Sequence, residues 1–344
     1  MPCCRSLGDD GLPVHPIKAD YLKPVVDRYN SQGRPFNMGM VFPVSTHNYE
    51  LRYWLAAGGI HPGYYSSTDI SGQIGADAFL SVTPPPQMPA TLEAGTIYGY
   101  CVGEPWNTYA VSEGLGHTLV TSYDIWNNHP EKVFAVTRIW AQSNPNAHKA
   151  VLMALLEACV WLDEAANRPE ACELLSNGRY VNVPVDVLEK SLTGTLLVSS
   201  EVSPRSAPDY NVFHRYAANF PWRSHAVWFL SQMLRWGELD DVASIEKTAR
   251  AVYRPEVFRA AAEALGLPAP HLEEKTEGEH IGSWTLESGH ASLPMGADRF
   301  MDKRTFDAKA VPAYVAGFAI KRWPMVTPME ASTDKGNSII EHAL

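Results

Sequence analysis

Three short stretches of the sequence carry side chains suited to binding an anion, and the first is Ser45-Thr46-His47. The apolar run at 36–42 predicts a buried strand, and apolar residues at helical spacing over 49–57 predict a helix. The first backbone N–H groups of a helix lack partners and its dipole is positive there, so such a turn can bind an anion. The hydroxyl groups and the imidazole add donors. An ordinary helix cap beside a packed histidine is the alternative interpretation, and the pattern leaves both open.

The second stretch is Gly103-Glu104-Pro105-Trp106, which follows a predicted strand over 96–102. In open α/β sheets, ligands lie at the carboxyl ends of the strands, so a ligand is expected at this edge. Gly103 lets a ligand approach the backbone, Trp106 can line a pocket, and Glu104 can orient a donor or hold a cation. A simple turn with a packed tryptophan fits the same residues.

The third stretch contains Lys132, which stands directly before a predicted strand over 133–136. A lysine there can bring a positive charge to a cleft. The alternative is a solvated side chain beside Glu131, because exposed lysines are common.

The sequence does not indicate enzyme chemistry or a metal site. None of the cysteines forms a Cys-x-x-Cys pair, so neither a zinc site nor a disulfide framework is predicted. The histidines lack metal-ligand spacing, and the serines form no Gly-x-Ser-x-Gly elbow. The cysteines are Cys3, Cys4, Cys101, Cys159 and Cys172.

The composition limits the classes of partner that the protein is expected to bind. The formal net charge is -10 and the sequence pI is about 5.6. A surface of that sign repels phosphate backbones, so nucleic acid is excluded as a partner. An anionic ligand therefore needs a local positive pocket. The N-terminus has no charged segment followed by an apolar one, and no run of 18 apolar residues is present, so neither an export signal nor a membrane span is predicted.

Strand and helix alternate at short spacing between about residues 35 and 137, which predicts an α/β fold with a parallel, doubly wound sheet. Beyond residue 144 the pattern becomes helical. Segment 211–236 is rich in aromatic residues, and its aromatic stripe at 213–236 is predicted to be core rather than a cofactor or nucleic-acid site. Residues 267–307 are predicted to be loop-like. The predicted strands are 36–42, 78–82, 96–102, 118–121 and 133–136, and the main predicted helices are 22–30, 49–57, 147–162, 171–175, 185–192, 243–265 and 310–320.

Together these stretches resemble the family of nitrate- and bicarbonate-binding proteins of ABC importers. The resemblance runs in the family's order and spacing over about residues 12–325. The segments that carry it are FPVSTHNYELRYWLAAGG at 42–59, PPPQM at 84–88, YCVGEPWN at 100–107, IW at 125–126, HPEKV at 129–133, WLDE at 161–164 and NR at 167–168.

The resemblance implies a type II periplasmic-binding-protein fold, in which two doubly wound α/β lobes joined by a hinge enclose a ligand cleft. It implies a small planar oxyanion as ligand, nitrate or nitrite in most members and bicarbonate in some. His47, Gly103 and Lys132 match the family's anion contacts. The expected neighbours of the anion are Ser45, Thr46, Glu104 and Trp106.

The domain assignment also follows from the resemblance. Residues 35–137 are expected to form lobe two, 1–34 a remnant of lobe one, and 138–344 the return to lobe one, which is mostly helical. Family members carry a further stretch before the point where this chain begins, so lobe one is expected to be incomplete. Apolar helix faces left uncovered would favour self-association.

The implied function is capture of the oxyanion and delivery to ABC permease and ATPase subunits, with membrane association only through the transporter. The implied location is the periplasm or the outer face of the inner membrane. No cofactor is expected, although calcium accompanies the ligand in bicarbonate-binding members. One alternative is a cytoplasmic nitrate/nitrite sensor that sequesters an RNA-binding antiterminator. Another is an enzyme of the same fold, such as a pyrimidine-forming thiamine-pathway protein, which needs a metal or cofactor cluster.

Overall fold

The computed structural model describes residues 15–288 and 291–323. Residues 1–14 and 324–344, which include Cys3, Cys4 and the two ends of the predicted lobe one, lie outside the described residues. The α-helices of the described part are α1 Lys23–Ser31, α2 Thr46–Ala57, α3 Met88–Glu93, α4 Trp106–Ser112, α5 Ser122–Ile125, α6 Arg138–Ser143, α7 Pro145–Asp163, α8 Arg168–Ser176, α9 Val185–Leu192, α10 Arg223–Trp236, α11 Ile245–Val252, α12 Pro255–Ala264 and α13 Val311–Ala316. Its strands are β1 Asn37–Met40, β2 Phe79–Val82, β3 Thr195–Leu196, β4 Arg205–Ser206, β5 Trp284–Ser288 and β6 Ala291–Met295.

A short parallel sheet organises the N-terminal half. Strands β1 and β2 pair in parallel, with Asn37 opposite Phe79. Gly39 also forms a parallel bridge with Tyr100, so three successive segments run in the same direction. Their carboxyl ends meet at one edge, where the chain enters α2 and the turn at Gly103. This edge is where the sequence predicts the ligand.

Helix α2 lies at the centre of the molecule. Ser45 caps its first turn, and it ends at Gly58, where a Cβ atom would lie 2.4 Å from the backbone of Ala19. Side chains on all sides of the helix are buried, including Trp54 and Arg52. A helix covered on every side is fixed in position. The residues at its N-terminus are therefore held rigidly against the sheet edge.

The main hydrophobic core is built around α2, α10 and α13. Trp228 of α10 packs against Trp126, with ring centroids 4.8 Å apart, and Trp126 stacks on Phe300 at 4.7 Å. Trp222 and Trp236 are also buried. The prediction that the aromatic stripe 213–236 is core is thus confirmed for its part from Phe220 onward, whereas Phe213 and Tyr216 are only half-buried.

Several local predictions were wrong. Segments 118–121 and 133–136 are not strands. The backbone N–H of Thr118 bonds to Val198, and Thr121 caps α5 in a reciprocal pair with Asp124. β-Branched residues favour extended backbone with or without a neighbouring strand, which explains the error.

The region 267–307, predicted to be loop-like, contains the antiparallel hairpin β5–β6. Three apolar side chains at alternating positions, Leu286, Leu293 and Met295, are buried against α12. The third predicted strand, 96–102, is reduced to the bridge at Tyr100.

Helix α7 presents apolar side chains to solvent. Of the face predicted from its periodicity, Leu156 is 2% exposed, whereas Val151 is 42% and Leu155 is 41% exposed. Ile139 of α6 is 77% exposed. Among the residues described, no helix combines the length and apolar character needed to cross a bilayer.

Candidate functional site

The N-terminus of α2 is fixed by local hydrogen bonds. The hydroxyl of Ser45 accepts from the backbone N–H of Asn48 at 3.2 Å and donates to the carbonyl of Phe42 at 2.6 Å. The hydroxyl of Thr46 donates to the backbone carbonyl of Glu131 at 3.1 Å. Because that last bond joins residues 85 apart in sequence, it ties the segment around Lys132 to the start of the helix.

An imidazole, a carboxylate and an ammonium group meet beside this helix terminus. Nε2 of His47 lies 3.1 Å from Oε1 of Glu131. Nζ of Lys132 lies 3.0 Å from Oε2 of the same carboxylate. The His47 side chain is 9% exposed, whereas that of Lys132 is 80% exposed. Nζ of Lys132 is also 3.1 Å from Oε1, so the imidazole and the ammonium group contact the same carboxylate and share one of its oxygens.

Gly103 places a stretch of backbone without a side chain beside His47 and Glu131. A Cβ atom built on this residue would lie 3.6 Å from Nε2 of His47 and 4.0 Å from Oε1 of Glu131. The structure therefore brings together His47, Gly103 and Lys132, which come from three separate stretches of the sequence. Their arrangement can hold a small planar anion by donation from the imidazole and by the lysine charge.

The carboxyl of Glu131 is ionised at neutral pH. Burial raises its pKa, but the hydrogen bond from His47 and the charge of Lys132 outweigh burial and lower the pKa from 4.5 to about 2. The site therefore carries its own negative charge between the two groups that attract anions.

Glu104 and Trp106 support the backbone around Gly103. The Glu104 carboxylate accepts from the hydroxyl of Tyr210 at 2.6 Å and from the backbone N–H of Thr108 at 3.1 Å. Burial raises the pKa of Glu104. Trp106 packs in a satellite cluster with Val187 of α9. Among the alternatives left open by the sequence, these contacts favour the packed turn for Trp106 and a positioning role for Glu104.

Sequence reasoning missed a buried ion pair next to the site. Nδ1 of His129 lies 2.8 Å from Oε1 of Glu50, which is 1% exposed. Burial lowers the pKa of His129, but the Glu50 carboxylate outweighs burial and the net shift is upward from 6.5. Glu50 follows His47 by three residues on α2, so helical periodicity places these two side chains on one face. That spacing could have placed Glu50 near the site, but not its pairing with His129, which is distant in sequence.

Cys101 is a second residue missed beside the site. Burial raises the pKa of its thiol well above the ordinary value, and the charges of Glu50 and Glu131 raise it further. Within the described ranges, no group of three or more His, Cys, Asp or Glu side chains is arranged to hold a metal ion. The residues of the site thus do not form a donor set of that size for calcium.

Comparison with known proteins assigns the chain to a family. A model described as the NMT1-like family matches residues 5–176. The chain is 31% identical over 307 residues to the nitrate/nitrite binding protein NrtA of Nostoc sp., covering 89% of this chain and 63% of that relative. It is 36% identical over 267 residues to the bicarbonate transport ATP-binding protein CmpC of Synechococcus elongatus, covering 76% of this chain and 36% of that relative. The chain thus spans less than two thirds of the length of these relatives.

A solved structure is similar over most of the chain. The crystal structure of the periplasmic nitrate-binding protein NrtA from Synechocystis PCC 6803 superposes with a TM-score of 0.74 at 30% identity. The match covers 88% of this chain and 71% of that chain. The described elements are therefore arranged in the α/β fold of a periplasmic binding protein, as the resemblance implied.

Proposed function

Because the chain belongs to the NMT1-like family, we propose that it is the substrate-binding component of an ABC transporter, which captures a small oxyanion and delivers it to a membrane permease. One observation carries the proposal. His47, Gly103 and Lys132, which the resemblance implies as anion contacts, lie around one carboxylate although they are distant in sequence. A carboxylate resembles nitrite, nitrate and bicarbonate in planarity and charge.

The proposed binding energy comes from two groups of different character. His47 is nearly buried, so its hydrogen bond to an anion is little weakened by solvent. Lys132 is exposed, so its charge contributes less to affinity and more to attracting the anion against the net charge of -10. Discrimination among anions comes from donors matched to planar oxygens and from the close approach allowed at Gly103.

The proposed partners are the permease and ATPase subunits of the transporter. The chain is similar to an ATP-binding protein of bicarbonate transport and to a nitrate/nitrite binding protein. These similarities support a role in transport over a role as a cytoplasmic sensor. The proposed location is the periplasm or the outer face of the inner membrane. The proposed cleft lies between lobe two, residues 35–137, and the remainder of the chain.

Calorimetric titration tests this function. Nitrate, nitrite and bicarbonate are titrated separately into the chain, bicarbonate with and without calcium, and sulfate serves as a tetrahedral control. We expect at least one planar anion to bind and sulfate not to bind. Equal binding of sulfate would contradict a site matched to planar oxygens, and absence of binding by all four anions would contradict the proposed function of this chain.

The sensor alternative has its own test. Affinity capture on immobilised chain is performed with purified permease–ATPase complex and with a purified antiterminator, each with and without nitrate. Anion-dependent capture of the permease complex is expected. Anion-dependent capture of the antiterminator alone would overturn the transport role while leaving anion binding intact.

A further inference from the structure

We propose that Glu131 is an internal competitor for the anion site, so that its carboxylate must leave the space between His47 and Lys132 before a ligand binds. This inference rests on the proposed function. It assigns to Glu131 a role in setting affinity, which follows from the position of its two oxygens relative to the groups that would hold the anion.

The carboxylate occupies the position that a planar anion would take. Oε1 lies 3.1 Å from Nε2 of His47, and Nζ of Lys132 lies 3.1 Å from Oε1 and 3.0 Å from Oε2. Oε1 would be 4.0 Å from a Cβ atom built on Gly103, which places it near the third expected contact as well. Like nitrate, a carboxylate is planar, carries one negative charge and offers its oxygens in one plane. The two therefore compete for the same donors.

The side chain can leave without disturbing the backbone. The carbonyl of Glu131 is held by the hydroxyl of Thr46, and this bond does not involve the carboxylate. The side chain is 37% exposed, so it already borders the solvent that it must enter by a change of staggered rotamer. Two contacts break when the carboxylate leaves. The pair with the 80% exposed Lys132 is of the exposed kind that contributes little, and the contact with the nearly buried His47 is replaced by one to the incoming anion. Ligand binding therefore compensates for much of the cost of release.

Competition of this kind predicts a modest weakening of affinity. An exposed ion pair contributes little, so losing the competition from one changes Kd by a few-fold. Adding the repulsion between two neighbouring negative charges, we expect removal of the Glu131 charge to tighten anion binding about three- to tenfold. The alternative is a positioning role, in which Glu131 orients the imidazole of His47 and its removal weakens binding.

The experiment compares nitrate affinity by calorimetry in the unmodified chain, Glu131→Gln and the matched control Glu263→Gln. Glu263 lies exposed on α12, so its substitution makes the same change in net charge at a remote place. We expect nitrate to bind more tightly to Glu131→Gln and unchanged to Glu263→Gln. Equally tighter nitrate binding by both variants would show that the effect comes from the net charge of the chain rather than from the position of Glu131. That result would overturn the inference. Weaker or unchanged binding by Glu131→Gln alone would also overturn it while leaving the proposed function standing.

A second variant distinguishes removal of the competing carboxylate from two other causes of changed affinity. These are a folding defect and a direct contact between the anion and the amide introduced by Glu131→Gln. Glu131→Asp keeps the charge but shortens the side chain by one methylene, which withdraws the carboxylate from His47. We expect its nitrate affinity to lie between those of the unmodified chain and Glu131→Gln, with a thermal midpoint close to that of the unmodified chain. Affinity below that of the unmodified chain would contradict the inference. Failure of every variant, and of the unmodified chain, to bind nitrate, nitrite or bicarbonate would instead overturn the proposed function together with it.

Discussion

Replacing Gly103 with alanine should separate the binding role of this residue from any structural role. The backbone of Gly103 is not in the left-handed region, and an added methyl group would meet its nearest neighbour, Nε2 of His47, at 3.6 Å. That distance is ordinary van der Waals contact, so the folded chain has room for the methyl group. We expect Gly103→Ala to leave stability unchanged or to raise it by about 0.4–1 kcal/mol, because alanine restricts the unfolded chain.

The effect on anion binding should be much larger. The added methyl group stands between an anion and the backbone of Gly103, beside the imidazole of His47. A hydrogen bond to a charged group contributes about 1.5–3 kcal/mol, so its loss should weaken nitrate binding about 10- to 100-fold. The measurement is calorimetric titration of nitrate paired with urea unfolding of the same preparations.

Gly282→Ala serves as the control for this substitution. A Cβ atom at Gly282 meets no atom within 4 Å, so neither stability nor nitrate affinity should fall. Wild-type affinity in Gly103→Ala would refute the idea that the anion reaches this backbone. Loss of affinity accompanied by a lower unfolding midpoint would show that the methyl group disturbs the fold, contrary to the space that the structure leaves for it.

Two further predictions concern stability. Arg52→Ala removes a buried guanidinium that donates to the carbonyls of Gly63 at 2.8 Å and Gly72 at 3.1 Å, so unfolding free energy should fall by about 3 kcal/mol or more in urea titrations; a loss below about 1 kcal/mol would contradict this. For Glu277, burial raises the pKa, but the charge of Lys275 outweighs burial and lowers it from 4.5 to about 2. A carboxyl with a depressed folded pKa stabilises the fold above about pH 4.5, and this stabilisation is lost as pH falls through about 2. Unfolding measured between pH 5 and 2 should show this loss, and Glu277→Gln should flatten it; an identical pH profile in the variant would refute the assignment.

The start of α2 could be predicted from the sequence because its determinants are local. Ser45 is a helix-capping residue type, and the apolar spacing that follows it has the period of a helix. The convergence of His47, Gly103 and Lys132 is not local, and each stretch alone fits an ordinary turn or a solvated side chain. The family resemblance supplied that convergence, and the family assignment is confirmed by the matching family model.

The errors arose where tertiary contacts decide the outcome. Segment 133–136 has strand-like composition, but Val133 is 63% exposed and no strand lies beside it to pair with among the described residues. The hairpin β5–β6 was missed because its apolar alternation is short and becomes evident only against α12. The pair Glu50–His129 was missed because its members are distant in sequence. The lobe boundaries at 35 and 137 stay predictions.

Titration of nitrate into the chain and into His47→Ala shows whether the N-terminus of α2 holds the anion. His117→Ala is the control, since His117 is an exposed histidine away from the start of α2. We expect nitrate, or another planar oxyanion, to bind to the unmodified chain and to His117→Ala, and binding to be lost or weakened at least tenfold in His47→Ala. Undiminished binding in a folded His47→Ala variant would contradict the claim that the anion is held at the N-terminus of α2.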